Sequence, residues 1–223
     1  MNAQENWSAA DEFVEGLLHP EDPILEAYAG ANAAAGLPPI DVSAVQGKFL
    51  HLLAQTQGAR SILEIGTLGG YSTTWLARAL PEGGSLITLE LDPTHARVAR
   101  ANLATAGVSD RVEVIEGPAA QSLARLHAEK RGPFDFIFID ADKPGYPVYL
   151  DWALKISRPS TLIVADNVVR KGQISDPSSL DVNVQAARAF IQKVGAEPRL
   201  NATVVQTVGR KGHDGFLLAR VLA

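Results

Sequence analysis

The sequence predicts an α/β fold: a mostly parallel sheet of about seven strands, closed at one edge by an antiparallel C-terminal hairpin and preceded by N-terminal helices. Three observations predict it. Short apolar runs recur at 61–65 (SILEI), 86–91 (LITLEL), 112–115 (VEVI), 134–139 (FDFIFI) and 161–165 (TLIVA), with stretches of helical period between them. That rhythm is how parallel strands joined by crossover helices read. FDFIFI and TLIVA are apolar almost throughout, as strands covered on both faces must be. Near the end, the strand-like runs 202–208 and 215–221 flank the turn-rich GRKGHDG, the pattern of an antiparallel pair.

The elements follow in order. Residues 1–60 form a helical cap, and 61–223 the α/β core of a single domain spanning 1–223. The first 36 residues read as two short helices separated near His19-Pro20, and Pro38-Pro39 breaks the chain before the next. In 41–57, Val42, Val45, Phe49, Leu52 and Leu53 recur at helical spacing and predict one apolar face. Residues 94–106 carry Ala96, Val98, Ala99, Leu103 and Ala106 on a second such face. Beyond the fifth strand, 167–183 is rich in Gly, Ser, Pro and Asp and reads as a long loop, and 184–194 as a helix.

Composition narrows the function. With 46 % hydrophobic and 20 % charged residues over 223 positions, the chain has the material for a sizeable core. Its formal net charge of -5 argues against a general nucleic-acid binder, which needs a basic face. The absence of cysteine excludes disulfides, zinc ribbons, Fe–S clusters and thiol nucleophiles. No run approaches the roughly 20 apolar residues of a membrane span, and the polar start MNAQENWSAADEF has neither a basic nor an apolar leader region, so the expected location is the cytoplasm.

The first candidate site is the turn Glu64-Ile65-Gly66-Thr67-Leu68-Gly69-Gly70-Tyr71-Ser72, between a strand and a helix. Glycines there let the backbone turn sharply and approach a ligand, and open α/β sheets bind ligands at this edge. The spacing G-x-x-G-G is neither the dinucleotide fingerprint nor a P-loop. Glu90 closes the next strand, where a carboxylate can accept from ribose hydroxyls. Glu64 and Glu90 flanking one turn repel pyrophosphate and suit a nucleoside carrying positive charge. S-adenosylmethionine fits, with its ribose, adenine, ammonium and sulfonium.

The second lies where FDFIFI runs into Asp140-Ala141-Asp142-Lys143 and TLIVA into Asp166-Asn167. Two Asp carboxylates and an Asn carbonyl make an all-oxygen set for Mg²⁺ or another divalent cation such as Ca²⁺ or Mn²⁺. Such a cation offsets the cost of clustering carboxylates at buried strand ends. A nearby dication and sulfonium both lower the pKa of Lys143, which can then act as a general base. Asp and Asn at such ends also serve as helix caps, the alternative structural role for DAD and DN.

At these residues the chain resembles the cation-dependent O-methyltransferases, the family of catechol and caffeoyl-CoA O-methyltransferases and their bacterial relatives. The matching segments are VSAVQGKFL, ILEIGTLGGYST, LITLELD, VEVIEGPA, FDFIFIDADKPGY, LIVADN and VQTVGRKGHDGFLLA. The resemblance implies a Rossmann-like S-adenosylmethionine-dependent methyltransferase fold. It implies cofactor contacts at Val42, Glu64, Gly66, Thr67, Gly70, Ser72, Glu90, Ala119, Asp140 and Asp142, with Glu90 on the ribose. It implies metal ligands at Asp140, Asp166 and Asn167, and a catalytic base at Lys143. It also implies a homodimer that methylates one hydroxyl of a small catechol-like phenol. The chain departs from the family pattern at Val168-Val169-Arg170-Lys171-Gly172 after DN, at Ser160-Thr161 after Pro159, and at His213. The Arg170/Lys171 change concerns the acceptor, favouring an anionic phenol, unless both are solvated loop charges. Two rival functions are an NAD-dependent oxidoreductase on a similar sheet and a non-catalytic nucleoside-binding module.

Overall fold

The computed structural model describes residues 2–19 and 22–223. Seven strands, β1 (Ser61–Ile65), β2 (Ser85–Glu90), β3 (Val112–Glu116), β4 (Phe134–Ile139), β5 (Ser157–Ala165), β6 (Leu200–Gly209) and β7 (Gly212–Val221), form one sheet. Its order is β3-β2-β1-β4-β5-β7-β6. The first five pair in parallel, and β7 runs antiparallel to both β5 and β6. Helices α1 (Ala3–Leu18), α2 (Pro23–Ala34), α3 (Ala44–Gln57), α4 (Tyr71–Ala79), α5 (Pro93–Thr105), α6 (Ala119–Ala128), α7 (Tyr146–Lys155) and α8 (Val182–Ala196) complete the chain. The break expected near His19-Pro20 falls between α1 and α2, and Pro20 itself lies outside the described residues.

The core has two layers because the inner strands are apolar on both faces. Leu63, Ile65, Ile137, Ile139 and Ile163 pack with Leu123, Leu126, Leu150 and Phe190 from α6, α7 and α8. Ile62, Phe136, Phe138 and Val164 pack with Leu50, Leu76 and Leu103 from α3, α4 and α5.

Three elements differ from the sequence reading. The buried seam of α3 is Gly47, Leu50 and Ala54, and Leu52 is 49 % exposed. Small residues bring α3 close to α4: a Cβ on Gly47 would lie 2.3 Å from the Trp75 ring. The larger side chains Phe49 and Leu53 therefore flank the contact as partly buried groups. The hairpin strands run to Gly209 and from Gly212, leaving only Arg210-Lys211 as the turn, so most of GRKGHDG is strand. Ladder hydrogen bonds do not need apolar side chains, and β6 is largely exposed. Finally β5 starts at Ser157, with a register shift opposite Phe134/Phe136 and Ser160 in the left-handed region at φ 75°. A serine there holds the conformation that glycine adopts most readily.

Register builds the functional edge. Ile65 pairs with Leu89 and with Ile139, and Ile139 pairs with Ala165. The next residue on each strand therefore falls in one row: Glu90, Gly66, Asp140 and Asp166. Adjacent strands lie about 4.8 Å apart. Hydrogen bonds from Gly66 N to Leu89 O (2.9 Å), Asp140 N to Ile65 O (2.9 Å) and Asp166 N to Ile139 O (3.0 Å) fix that row.

Candidate active site

A cavity of about 700 Å³ opens at this edge. Val42, Gly66, Thr67, Ser72, Glu90, Ala119, Asp140, Asp142, Lys143 and Asn167 line it, so ten of the sequence-derived site residues share one cavity. Glu64, Gly70 and Asp166 do not line it, and each has a physical reason.

Glu64 alternates with Ile62 toward α4 and is fully buried. Its carboxyl accepts hydrogen bonds from Ser72 Oγ (2.6 Å), Thr88 Oγ1 (2.7 Å) and Thr73 Oγ1. Burial pushes it up to about 7, against the three hydroxyls, which lower it. Glu64 thus ties β1 and β2 to the start of α4 beneath the turn.

Gly70 caps α4 at φ 84°, and its carbonyl accepts from Thr74 N and Thr74 Oγ1 (2.9 Å each). Gly66 has both roles: it lines the cavity at φ 98°, and a Cβ there would lie 2.0 Å from Asp140 O. Only glycine lets the turn cross the end of β4.

Glu90 binds the turn as well. Its carboxylate accepts from Thr67 N (3.1 Å), Leu68 N (2.8 Å) and Asp92 N (2.9 Å). A carboxylate offers about four acceptor positions, so roughly one remains for a ligand hydroxyl.

At the end of β4, Lys143 is buried with its three N–H groups directed at Asp140 Oδ1 (3.1 Å), Ala141 O (3.2 Å) and Tyr146 Oη (2.6 Å). Tyr146 donates toward Ile139 O (3.1 Å) and Asp166 O (3.0 Å). Burial first, then the charges of Asp140 and Asp166, hold Tyr146 well above the usual phenol range, so it stays a neutral hydroxyl. Asp142 accepts from Gly145 N (3.0 Å) and from Tyr149 Oη, and so caps the short 3₁₀ turn while facing the cavity.

Asp166 sits behind the wall. One oxygen accepts from Asn167 N (2.7 Å), the other from Gln46 Nε2 (2.5 Å). Burial, and then the charge of Asp140, raise its carboxyl far above the usual range. Asn167 holds φ 53°, and its side-chain amide makes no hydrogen bond among the described residues.

Sequence reasoning gave no role to Gln46, Tyr146, Tyr149 or Asp214. Gln46 and Tyr146 sit inside VSAVQGKFL and DADKPGY, and the spacing of Tyr146 three residues after Lys143 on a helical turn was the available signal. Asp214 Oδ1 accepts from Val169 N (3.0 Å), Arg170 N (2.9 Å) and Gly215 N (2.9 Å), a contact between β7 and the loop after β5 that no local pattern encodes.

Comparison with known proteins identifies the family. A family model described as O-methyltransferase matches residues 18–222. A catechol O-methyltransferase of Niastella koreensis is 52 % identical over 96 % of this chain and 97 % of its own length. One of Mycobacterium tuberculosis is 52 % identical over 99 % of both chains. A crystal structure of the O-methyltransferase from Bacillus cereus in complex with SAH superposes with a TM-score of 0.96, at 56 % identity and over 98 % of this chain and 99 % of that one. Fold, cavity and sequence together make this chain a member of the O-methyltransferase family.

Proposed function

We propose that the chain transfers a methyl group from S-adenosylmethionine to one hydroxyl of a small vicinal-diol phenol, in a reaction that depends on a divalent cation and uses Lys143 as general base. The observation that carries this reading is the row Glu90, Gly66, Asp140 and Asp166, with Lys143 and Asn167 on the same cavity.

The residues fit the donor. Glu90 keeps about one acceptor position for a ribose hydroxyl, and Val42 and Ala119 give an apolar wall for a base. SAH in the Bacillus cereus relative is the demethylated form of this donor, which supports the assignment.

They also fit a cation. Burial, and then the charge of the partly exposed Asp140, raise the carboxyl of Asp166, so the two acids lie close together, and Asn167 adds an amide oxygen with no hydrogen-bond partner among the described residues. Asp140, Asp166 and Asn167 would hold Mg²⁺ or a similar hard ion such as Ca²⁺ or Mn²⁺. When bound, the ion supplies Lewis-acid polarisation of the acceptor hydroxyls.

Lys143 is held at a fixed point by Asp140, Ala141 and Tyr146. In its neutral form it takes the phenolic proton, and Asp140 beside it stabilises the ammonium that results. Gln46 and Asn167 N hold the Asp166 carboxylate in orientation. The catechol names of the relatives support a vicinal diol as acceptor. The net charge of -5 supports a small-molecule acceptor rather than nucleic acid. The working form we propose is a cytoplasmic homodimer.

The test is methyl transfer to catechol, followed by mass, with cation supplied and after chelation. Chelation and Asp140→Ala should each abolish turnover, and Lys143→Met should lower it by about 10²–10⁴-fold. Full turnover after chelation would remove the cation from the reading.

A further inference from the structure

We infer that Arg170 is an anion-recognition residue on the acceptor side of the cavity, and that the preferred acceptor is a carboxylated catechol. This rests on the catechol reading above and names the substrate class more narrowly.

Arg170 lines the cavity together with Asn167, Lys143 and Asp140. It is half-buried, and its Nε is out of solvent with no hydrogen-bond partner. Its guanidinium makes no hydrogen bond or ion pair among the described residues. Two other half-buried arginines are hydrogen-bonded, Arg78 to Asp22 and Arg188 to the Ile174 carbonyl, and Arg111, whose Nε also lacks a hydrogen bond, still has the Asp110 carboxylate 3.5 Å away. A partly desolvated guanidinium is stable when a planar acceptor pair completes it, and a carboxylate matches its fork of donors.

The position is also held in place. Arg170 and Lys171 take left-handed φ of 53° and 57°, followed by Gly172 at 81°. Two consecutive non-glycine residues in this region cost free energy, which the surroundings must offset. Asp214 does so by accepting from the N–H groups of Val169 and Arg170, while Val168 N donates to Gly215 O at 3.0 Å. The loop therefore fixes the root of an unpaired cation at the cavity that Asp140 and Lys143 also line. A diol placed at Asp140 and Lys143 can direct a ring carboxylate toward Arg170. The donor's own carboxylate is a rival anion, and the arms below separate the two.

The experiment compares 3,4-dihydroxybenzoate with its neutral isostere 3,4-dihydroxybenzamide. Binding is titrated calorimetrically, turnover is followed in parallel, and wild type, Arg170→Gln and Arg170→Lys are compared. Arg170→Gln should weaken benzoate binding and kcat/KM by roughly ten- to a hundredfold, the worth of a charged hydrogen-bonded contact. Benzamide and the KM for the donor should stay within about threefold, and Arg170→Lys should recover part of the loss. Equal losses for benzoate and benzamide, no loss for either, or a rise confined to the donor KM would overturn the inference. Arg170-dependent benzoate binding without turnover of either compound would uphold the anion site and sink the methylation reading. Turnover of both compounds without charge discrimination would do the reverse.

Discussion

Glu64 carries a pH signature that the protein's stability should report. Strand alternation, with Ile62 and Glu64 on one face, sends its side chain under α4, away from the ligand edge. The turn sequence placed a carboxylate at the site, and the period-two geometry of β1 moved it behind the wall. Glu90 and Asp140, each one residue beyond a buried strand pair, were legible because a carboxylate at a strand end falls at the ligand edge of the sheet. The Glu64 carboxyl is raised from 4.5 to about 7, chiefly by burial. The folded state therefore keeps a proton that the unfolded chain releases near its ordinary carboxylate pKa. The resulting stability is fully present below about pH 4.5 and is lost as pH rises through about 7. Glu64→Gln keeps the neutral shape without the titration. In urea unfolding at pH 5 and pH 8, the variant should gain on wild type by about 1–3 kcal/mol at the higher pH. A difference between the two proteins that does not change with pH would show that Glu64 titrates normally.

At the scale of elements, the central strands were readable because their apolar runs end where water or a ligand begins. β1 and β4 have the bounds their sequence patterns predict, and α5 and α8 lie within two residues of theirs. The hairpin and the loop after β5 were harder, because their stability is tertiary. β6 is stabilised by pairing with β7 rather than by burial, and the loop is shaped by one carboxylate from a distant strand. Asp214→Ala tests that dependence. It removes the shared acceptor of three amides and leaves Val169, Arg170 and Gly215 N–H groups without it. Amide exchange at Val169 and Arg170 should rise by about tenfold or more, with a global loss of about 1–3 kcal/mol. Unchanged exchange at these amides would mean that the left-handed segment is held by something other than Asp214.

The whole molecule leaves one element without a core of its own. α1 spans sixteen residues and buries none of them, and Phe13, Leu17 and Leu18 are 70 %, 68 % and 67 % exposed. A solitary helix of this length is marginal in water. Its hydrogen bonds and ion pair to the rest of the described chain gather at the hairpin tip: Gln4 donates to Gly209 O (3.0 Å), Asp11 accepts from Arg210 N (2.7 Å), and Glu15 pairs with Arg210 (2.8 Å). The neighbouring β6 adds Val205 and Val208, 41 % and 53 % exposed. Phe13 and Leu17, one turn apart on α1, form an exposed apolar pair of the kind that marks an interaction face, and the homodimer proposed above would give it a partner. The sequence showed α1 as a helix, and in the structure of the single chain its apolar residues Phe13, Leu17 and Leu18 stay exposed. Native mass measurement of wild type should give twice the chain mass. Phe13→Glu with Leu17→Glu should shift it to the single-chain mass, because a carboxylate buried without a partner opposes association. Retention of the doubled mass in the double variant would exclude α1 from the interface, and a single-chain mass for wild type would remove the dimer altogether.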